Sequence, residues 1–531
     1  MLAVKVADML LDGDLWGGTR LPRTEPSRCP RVHDEGVAMR DRENQTDSPV
    51  VRRSYSLVGP DTKKAVEAGF DNAEWYRAPI DTDRLKVLMI RRNGRPAVDA
   101  VLWLALLGGA GTLAFLTLGT WWTVPAFAVF GALWGGSGDA RWHENGHGTA
   151  FRSRWANDAM YNIASFMMLR EPTLWRWSHI RHHSNTLIVG LDPEIGIQRP
   201  PSLLTVALNY LNLINGPKML GKIVMHAFGH LEDFTRVLVP ADKLRRVVWE
   251  ARVFLLLLVG VLAAAVELGT IVPLLFVGLP SFYGAWLLWF FAITQHAGLR
   301  EDVLDHRMST RTVYINPVFR FLYLNMNYHV EHHMFPAVPY YNLPALHEEI
   351  KAYLPPPKTS MLDAYLEVFH ALVMQHKDVT WEIPKSWVPP VESTKQDSTA
   401  REALLVATAP GSGEAELGPS SLLAPGELAP VEVDGLAYVL CRTLDGSYAF
   451  TDGVCTHDRA RLSDGFLDDC ILECPKHNGR FDVRTGEAVR LPAQKPLCTY
   501  PVTERDGRLV VRMREIEKSA ARPEVSAERT G

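Results

Sequence analysis

Apolar residues are concentrated in four long segments of the chain, residues 98–119, 123–139, 252–268 and 271–293. A helix needs about 20 predominantly apolar residues to cross roughly 30 Å of hydrocarbon. The first two segments are separated by the short turn "GTWW" and the last two by "ELGT", and neither turn carries Lys or Arg. The pattern therefore predicts two helical hairpins, with four membrane-spanning helices in total.

The flanks of these segments are basic. The residues concerned are Lys86, Arg91, Arg92, Arg95, Arg141, Arg152, Arg154, Arg245, Arg246, Arg252 and Arg300. Because Lys and Arg favour the cytoplasmic side of a membrane, we expect an integral protein of the inner or plasma membrane whose N-terminus and flanks are cytoplasmic. The alternative is that the apolar segments are buried helices of a large soluble protein.

Between the two hairpins, residues 203–228 are apolar but interrupted by Asn and Pro. This pattern favours an amphipathic or interfacial helix.

The hydrophobic pattern changes after residue 401 to short alternating runs such as "VEVDGLAYVLC" and "RDGRLVVRM". Alternation with D-G turns is typical of antiparallel strands, so we predict a small all-β domain over residues 402–513. A linker over residues 384–401 precedes it, and a helical membrane domain covers residues 56–383.

Both ends of the chain are predicted to be disordered. Residues 1–55 are rich in Arg, Asp, Glu and Pro, a composition that cannot bury much apolar surface, and Met39 is an alternative start to Met1. Residues 514–531 form the second disordered segment.

Composition removes one class of partner. The formal net charge is -4 and the pI is near 6.5, so the chain lacks the basic field that nucleic-acid binding requires. Five of the six cysteines lie at or beyond Cys441, which favours metal ligation in a reducing compartment over a secreted disulfide framework.

Three histidine clusters provide the candidate chemistry. They are "HENGH" (His143, His147), "HIRHH" (His179, His182, His183) and "HVEHH" (His329, His332, His333). Spacings of three and four place these imidazoles on one face of a helix, and the predicted topology gathers the clusters on one side of the membrane. Imidazole suits Fe, Zn and Cu, and the number of histidines fits two metal ions rather than one.

Three further histidines have ligand-like placement. His296, in "TQHAGL" at the end of the last apolar segment, is predicted as a ligand because a histidine at that depth is costly unless it has a function or a partner. His226 and His230, in "HAFGH", have suitable spacing, but the other nine already satisfy two metals. We therefore expect these two to form interfacial polar surface.

These clusters, with the words "WRWSHIRHHSNT" and "NYHVEHHMFPAVPYYNLPALH", resemble the membrane fatty-acid desaturase and hydroxylase superfamily. The resemblance covers about residues 65–380 and implies a four-span helical fold with a cytoplasmic cap. It also implies a non-haem di-iron centre that uses O2. The implied ligands are His143, His147, His179, His182, His183, His329, His332 and His333, with His296 as the additional histidine.

The C-terminal domain contains a second ligand set. Cys455 and His457 stand in one loop, and Cys474 and His477 in another. Two thiolates and two imidazoles match a [2Fe-2S] cluster with Cys on one iron and His on the other, whereas a structural zinc site is the alternative. The region also resembles Rieske-type ferredoxins, in the branch without an added disulfide, since Ala460 and Lys476 occupy the two cysteine positions.

Together these features predict a membrane-bound di-iron oxidoreductase that desaturates an apolar fatty-acyl lipid with electrons from its own Rieske domain. Hydroxylation of an alkyl, terpenoid or aromatic methyl group is the first alternative, and a non-catalytic membrane electron carrier is the second. The chain shows no convincing G-x-G-x-x-G fingerprint after a strand. We therefore expect NAD(P)H to supply electrons indirectly, through a separate ferredoxin reductase.

Overall fold

The computed structural model describes residues 53–73, 75–384, 404–406, 413–457, 460–476, 479–490 and 493–513. The N-terminal extension up to residue 52, the linker from residue 385 and the tail from residue 514 lie outside these residues, so the predictions for them stay predictions.

The first part of the described chain is helical. Its α-helices are α1 Pro60–Glu67, α2 Thr82–Met89, α3 Gly94–Leu116, α4 Thr123–Gly131, α5 Ser137–His147, α6 Arg154–Met167, α7 Pro172–Ser184, α8 Leu203–Asn209, α9 Asn215–Ala227, α10 Asp233–Leu238, α11 Leu244–Glu267, α12 Val272–Phe276, α13 Pro280–Tyr283, α14 Ala285–His296, α15 His306–Ser309, α16 Pro317–Leu322, α17 His329–Met334, α18 Leu343–Ile350 and α19 Met361–Lys377. Short 3₁₀ turns lie at Phe70–Asn72, Ala241–Lys243, Tyr340–Asn342, Lys351–Tyr353 and Leu462–Asp464, and a π-helical turn at Ala132–Gly136 joins α4 to α5.

Two helical segments, Asp83–Leu116 and Ala241–Glu267, are long and apolar enough to cross a membrane. Only 22% and 17% of their most apolar windows are buried, and side chains such as Leu116 and Leu256 are more than two-thirds exposed. The core helix of a soluble protein would bury this surface, whereas lipid accommodates it. The helices therefore point to membrane association.

The second and fourth predicted spans are less regular. The second runs through α4, the π-helical turn and α5, and ends at the first histidine cluster. The fourth is divided into α12, α13 and α14. Pro273 and Pro280 stand in the first turns of α12 and α13, where proline is tolerated. Gly278 interrupts the chain between these helices with a positive φ of 97°, and Gly284 separates α13 from α14. Four spans are thus not confirmed by the described helices.

The two hairpins pack closely at a pair of glycines. A Cβ atom on Gly284 would lie 1.9 Å from the carbonyl oxygen of Gly131, so only glycine permits this approach of the fourth segment to α4. The adjoining core buries Trp103, whose indole N–H donates to the Leu133 carbonyl at 3.1 Å. This contact holds α3 against the helix that leads to His143 and His147.

The second part of the chain is all β, as predicted. Its strands are β1 Leu404–Val406, β2 Glu414–Pro419, β3 Leu428–Val433, β4 Leu436–Arg442, β5 Tyr448–Asp452, β6 Phe466–Asp468, β7 Ile471–Glu473, β8 Arg480–Asp482, β9 Ala488–Arg490, β10 Thr499–Tyr500, β11 Val502–Arg505 and β12 Arg508–Arg512. They form three sheets with the orders β1-β3-β4-β5-β10, β11-β12-β2 and β6-β7-β8-β9. Among the described strands, every pair except β1 with β3 is antiparallel.

Two of the D-G pairs form the turns that the sequence predicts. Asp434 and Gly435 join β3 to β4, and Asp506 and Gly507 join β11 to β12, all four with positive φ. Two consecutive residues with positive φ match the right-handed twist of a hairpin, and Asp followed by Gly adopts that conformation at low cost. The turns thereby fix the register of both strand pairs.

Candidate metal centre

The nine predicted histidine ligands come from four helices that converge on one site. Helix α5 supplies the first cluster near its C-terminal end, α7 the second and α17 the third, and His296 is the last residue of α14. Seven of the nine are buried, and His147 and His296 are half-buried. Residues up to 190 positions apart in the sequence therefore share one interior site.

The imidazoles form two neighbouring groups. In the first group the potential ligand atoms lie within 4.8 Å of one another, and its members are His143, His147, His179, His183 and His332. The same limit holds for the second group, which contains His182, His296 and His333. His329 joins the second group, because its Nε2 lies 2.9 Å from Nε2 of His296 and 3.1 Å from Nε2 of His333.

These distances match ligands that surround a metal ion. Two nitrogens about 2.1 Å from a metal and at right angles to each other lie about 3.0 Å apart, and the Nε2 atom of His179 is 3.1 Å from that of His147 and 3.2 Å from that of His183. Among the described residues, both ring nitrogens of His143 and of His332 lack a hydrogen-bond partner. Buried polar groups normally have one, so these nitrogens fit a metal at the first group, and the Nε2 separations of His329 from His296 and His333 fit a metal at the second.

Carboxylates orient two of the imidazoles. Nδ1 of His179 lies 3.0 Å from Oε2 of Glu194, and Nδ1 of His182 lies 2.9 Å and 3.0 Å from the two oxygens of Asp192. A carboxylate only accepts, so Nδ1 carries the proton and Nε2 keeps its lone pair in the neutral ring. Burial by itself would raise the pKa of Glu194, but His179 outweighs it and the pKa falls to about 2.

Two more imidazoles are held by polar groups. Nδ1 of His333 lies 3.0 Å from the Thr186 hydroxyl, and Nδ1 of His296 lies 2.9 Å from the Ser309 carbonyl, to which it must donate. No local motif identifies Glu194, Thr186 or Ser309 as partners of these imidazoles. Each lies at least 13 positions along the chain from the histidine that it contacts. The short sequence "DPE" after "HIRHH" is a signal that could have identified Glu194.

His226 and His230 lie outside both groups, and the expectation of polar surface is wrong for His226. Its ring is 0% exposed and bridges two carboxylates, with Nδ1 2.7 Å from Glu171 and Nε2 2.5 Å from Glu232. Burial alone would lower the pKa of His226, but the hydrogen bonds to Glu171 and then Glu232 raise it to about 9. His226 is therefore a buried cation, whereas His230 is exposed.

In the β domain, the described residues bring two of the four predicted cluster ligands into one core. Cys455 lies in the loop between β5 and β6, Cys474 lies between β7 and β8, and both are buried in the same apolar cluster. His457 is half-buried, and His477 lies outside the described residues. The arrangement fits two loops that approach a shared cluster.

The comparisons with known proteins agree with this geometry. Residues 119–365 match the family model described as fatty acid desaturase, and residues 414–501 match the model described as Rieske [2Fe-2S] domain. The chain therefore contains a fatty acid desaturase domain and a C-terminal Rieske [2Fe-2S] domain. The first match contains all nine histidines of the two groups, and the second contains both cysteine-histidine loops.

Three similar curated proteins are ferredoxin components, and each matches 16% or 17% of this chain. The ferredoxin component of the naphthalene 1,2-dioxygenase/salicylate 5-hydroxylase systems of a Ralstonia species is 43% identical over 17% of this chain and 84% of its own length. The ferredoxin component of the Pseudomonas aeruginosa naphthalene 1,2-dioxygenase system is 42% identical over 16% of this chain and 82% of its own length. The corresponding component of the Pseudomonas putida p-cumate 2,3-dioxygenase system is 39% identical over 17% and 76%.

These findings confirm the predicted pairing of a helical desaturase-type domain with a Rieske electron-transfer domain. They identify the chain as an oxidoreductase whose β domain carries a [2Fe-2S] cluster. The individual metal ligands stay predictions, and the two histidine groups are consistent with them.

Proposed function

We propose that this chain is a membrane-bound, O2-dependent non-haem di-iron oxidoreductase that introduces a double bond into a fatty-acyl chain. The observation that carries the proposal is the convergence of nine imidazoles into two adjacent groups with metal-ligand spacing. His143, His147, His179, His183 and His332 would hold one iron, and His182, His296, His329 and His333 the other. Cys455, His457, Cys474 and His477 would hold the [2Fe-2S] cluster.

The stoichiometry explains why the two domains occur in one chain. Bound irons would supply the activation of O2 that is needed to oxidise an unactivated C–H bond. Conversion of –CH2–CH2– to –CH=CH– with O2 needs two further electrons and two protons and releases two waters. A Rieske cluster passes one electron at a time, so it would act twice per turnover and receive its electrons from NAD(P)H through a separate reductase.

The surface of the helical domain supports an apolar substrate. Two long helices expose most of their apolar side chains, and this surface supports a location of the domain in or against lipid. The two histidine groups lie where α5 and α14 end, so a lipid chain would meet the oxidising site at the membrane boundary. We propose an integral membrane protein of the inner or plasma membrane, with the site and the Rieske domain on the cytoplasmic side.

Expression of the chain in a host with a simple lipid composition tests this function. We expect lipid analysis by mass spectrometry to show a new species lighter by two hydrogens, and the purified protein to contain about four irons per chain. Substitution of His183 by Ala should abolish the product, whereas the same change at the exposed His230 should not. Full activity in a preparation that contains only zinc would refute the proposal.

Hydroxylation is the second candidate, because the Rieske relatives belong to dioxygenase and hydroxylase systems by name. The same mass spectrometry distinguishes it, since a hydroxylated product gains one oxygen and keeps its degree of saturation.

A further inference from the structure

The Rieske domain contacts the helical domain directly beside the predicted ligands of both metal sites. Glu473, which immediately precedes Cys474, forms an ion pair with Arg91 between α2 and α3. Arg490, the last residue of β9, donates a hydrogen bond to the carbonyl oxygen of His147. Each contact thus joins a residue of one domain to a position at or next to a predicted ligand.

The Arg91–Glu473 pair is buried and has two points of contact. Nη1 of Arg91 donates to Oε2 of Glu473 at 2.8 Å, Nη2 donates to the other oxygen, and the two side chains are only 10% and 3% exposed. Burial alone would raise the pKa of Glu473, but Arg91 first, and then Arg480 and Arg490, hold it at about 2. Three arginines therefore favour the ionised form of this carboxylate.

The contact of Arg490 completes a helix end. The last carbonyls of a helix have no partner within the helix, and a cation is favourable there because of the helix dipole. His147 is the last residue of α5, and Gly148 follows it in the left-handed region with a φ of 64°. A Cβ atom at Gly148 would lie 2.1 Å from Nη2 of Arg490, so glycine leaves the space through which Arg490 reaches the carbonyl.

Lys476 of the Rieske domain lies near His306, whose ring adjoins the second histidine group. His306 is buried, stacks on Trp75 with ring centroids 4.2 Å apart, and lies 5.3 Å from the ring of His333. Burial, followed by the nearby charge of Lys476, lowers the pKa of His306 to about 3. Lys476, which stands one position before His477 in the sequence, is thus close enough to His306 for its charge to act on that ring.

We propose that Arg91, Glu473 and Arg490 form an interdomain docking interface that holds the Rieske domain in a fixed position for electron transfer to the metal centre. Within it, Arg490 is a positioning residue for the helix that carries His143 and His147. The inference rests on the proposed function, in which the Rieske domain supplies the electrons. The Rieske domain is docked because the Arg91–Glu473 pair is buried and Arg490 adds a second contact, from a cation to a helix end.

Charge reversal in the full-length, iron-loaded protein tests the interface. The variants are Arg91→Glu, Glu473→Arg and the double variant, with Arg484→Ala as the matched control, since Arg484 is exposed and pairs only with Asp482 of its own domain among the described residues. The cluster is reduced with dithionite without O2 and then mixed with O2. Reoxidation is followed by visible absorbance, and the rate of a His183→Ala variant, which lacks a predicted iron ligand, is subtracted as the direct reaction of the cluster.

Because each single reversal places two like charges against each other across a buried interface, we expect it to slow reoxidation by at least about tenfold. The double variant should recover to within about threefold of the unchanged protein, since the pair is restored with opposite polarity. Cluster loading, measured by the electron paramagnetic resonance signal, should remain equal in all variants. Unchanged rates in both single variants, or a double variant no faster than either of them, would overturn the proposal.

Arg480 separates the interface from effects inside the Rieske domain. Its Nε donates to the same carboxylate at 2.6 Å, but it belongs to β8 rather than to the helical domain. We expect Arg480→Ala to keep the rate within about threefold, because Arg91 still compensates Glu473. A loss equal to that of Arg91→Glu would place the effect within the Rieske domain and refute the docking role.

Hydrogen exchange gives a readout that needs no catalysis. Arg490→Ala should increase amide exchange at the C-terminal end of α5, and Arg490→Lys should restore most of the protection because it still supplies a cation. Equal exchange in all three proteins would overturn the role of Arg490. If exchange and charge rescue behave as expected but no lipid product forms, the interface stands and the proposed desaturation fails. If product forms while the reversed variants keep their rates, the interface alone fails.

Discussion

Substitution of Asp192 by Asn should weaken metal binding at the second histidine group without changing the size of the side chain. The carboxylate of Asp192 is 0% exposed, and both oxygens accept from Nδ1 of His182. The same oxygens accept from the backbone N–H groups of Leu187 and Glu194, each at 2.8 Å. An amide offers one accepting oxygen and an N–H group that only donates, so it cannot satisfy all three neighbours.

The expected loss follows from these contacts. Removal of an outer hydrogen-bond partner of a metal-binding histidine typically costs about 10-fold to 100-fold in metal affinity, or about 1.4 to 2.7 kcal/mol. A buried backbone N–H that loses its acceptor costs about 1 to 3 kcal/mol in addition. Asp192 both orients His182 and accepts from backbone N–H groups. We therefore expect Asp192→Asn to lower metal affinity by close to 100-fold and to make the protein less stable.

Iron retention against a chelator measures this effect. The full-length protein is titrated with an iron chelator, and the Rieske cluster signal serves as the internal standard for protein that is folded. Asp158→Asn is the matched control, because Asp158 forms an ion pair with Arg176 at 3.0 Å and both side chains are 29% exposed. If Asp192→Asn retains iron as well as Asp158→Asn does, the orienting role of Asp192 is refuted.

Two further predictions concern stability. His226 gains a proton-dependent stabilisation because its pKa rises from 6.5 to about 9, which corresponds to about 3 kcal/mol that is fully present below pH 6.5 and lost as the pH rises through 9. The thermal midpoint should therefore decrease as the pH is raised from 6.5 to 9.5, and His226→Gln should remove most of this decrease. An equal decrease in both proteins would contradict the role of His226. Gly284→Ala should lower the thermal midpoint, because the added Cβ would clash with the backbone at a cost of about 1 to 3 kcal/mol or more. Gly260→Ala should not lower it, since a Cβ atom there would have nothing within 4 Å. Equal midpoints in the two variants would argue against the close contact of Gly284 with Gly131.

Local features of the chain were predictable because they depend on short-range rules. The spacing within "HIRHH" and "HVEHH" places each cluster on one helical face, and D-G pairs adopt the turn conformation of a hairpin. Both rules act within a few residues, so they hold before the chain has folded. The course of the fourth apolar segment was not predictable from hydropathy, since breaks at Gly278 and Gly284 divide it into three helices.

The sequence by itself determined the candidate chemistry of this protein: nine histidines at ligand spacing, two cysteine-histidine loops, and long apolar segments that predict membrane association. Only the tertiary structure decided how the histidines divide into two groups, and that His226 is buried between two carboxylates. It also decided that Arg490 of the Rieske domain donates to the last carbonyl of a helix in the other domain. The physical reason is that ligand groups, outer hydrogen bonds and domain contacts join residues that are distant along the chain, and no local pattern records which distant partner fills a given position.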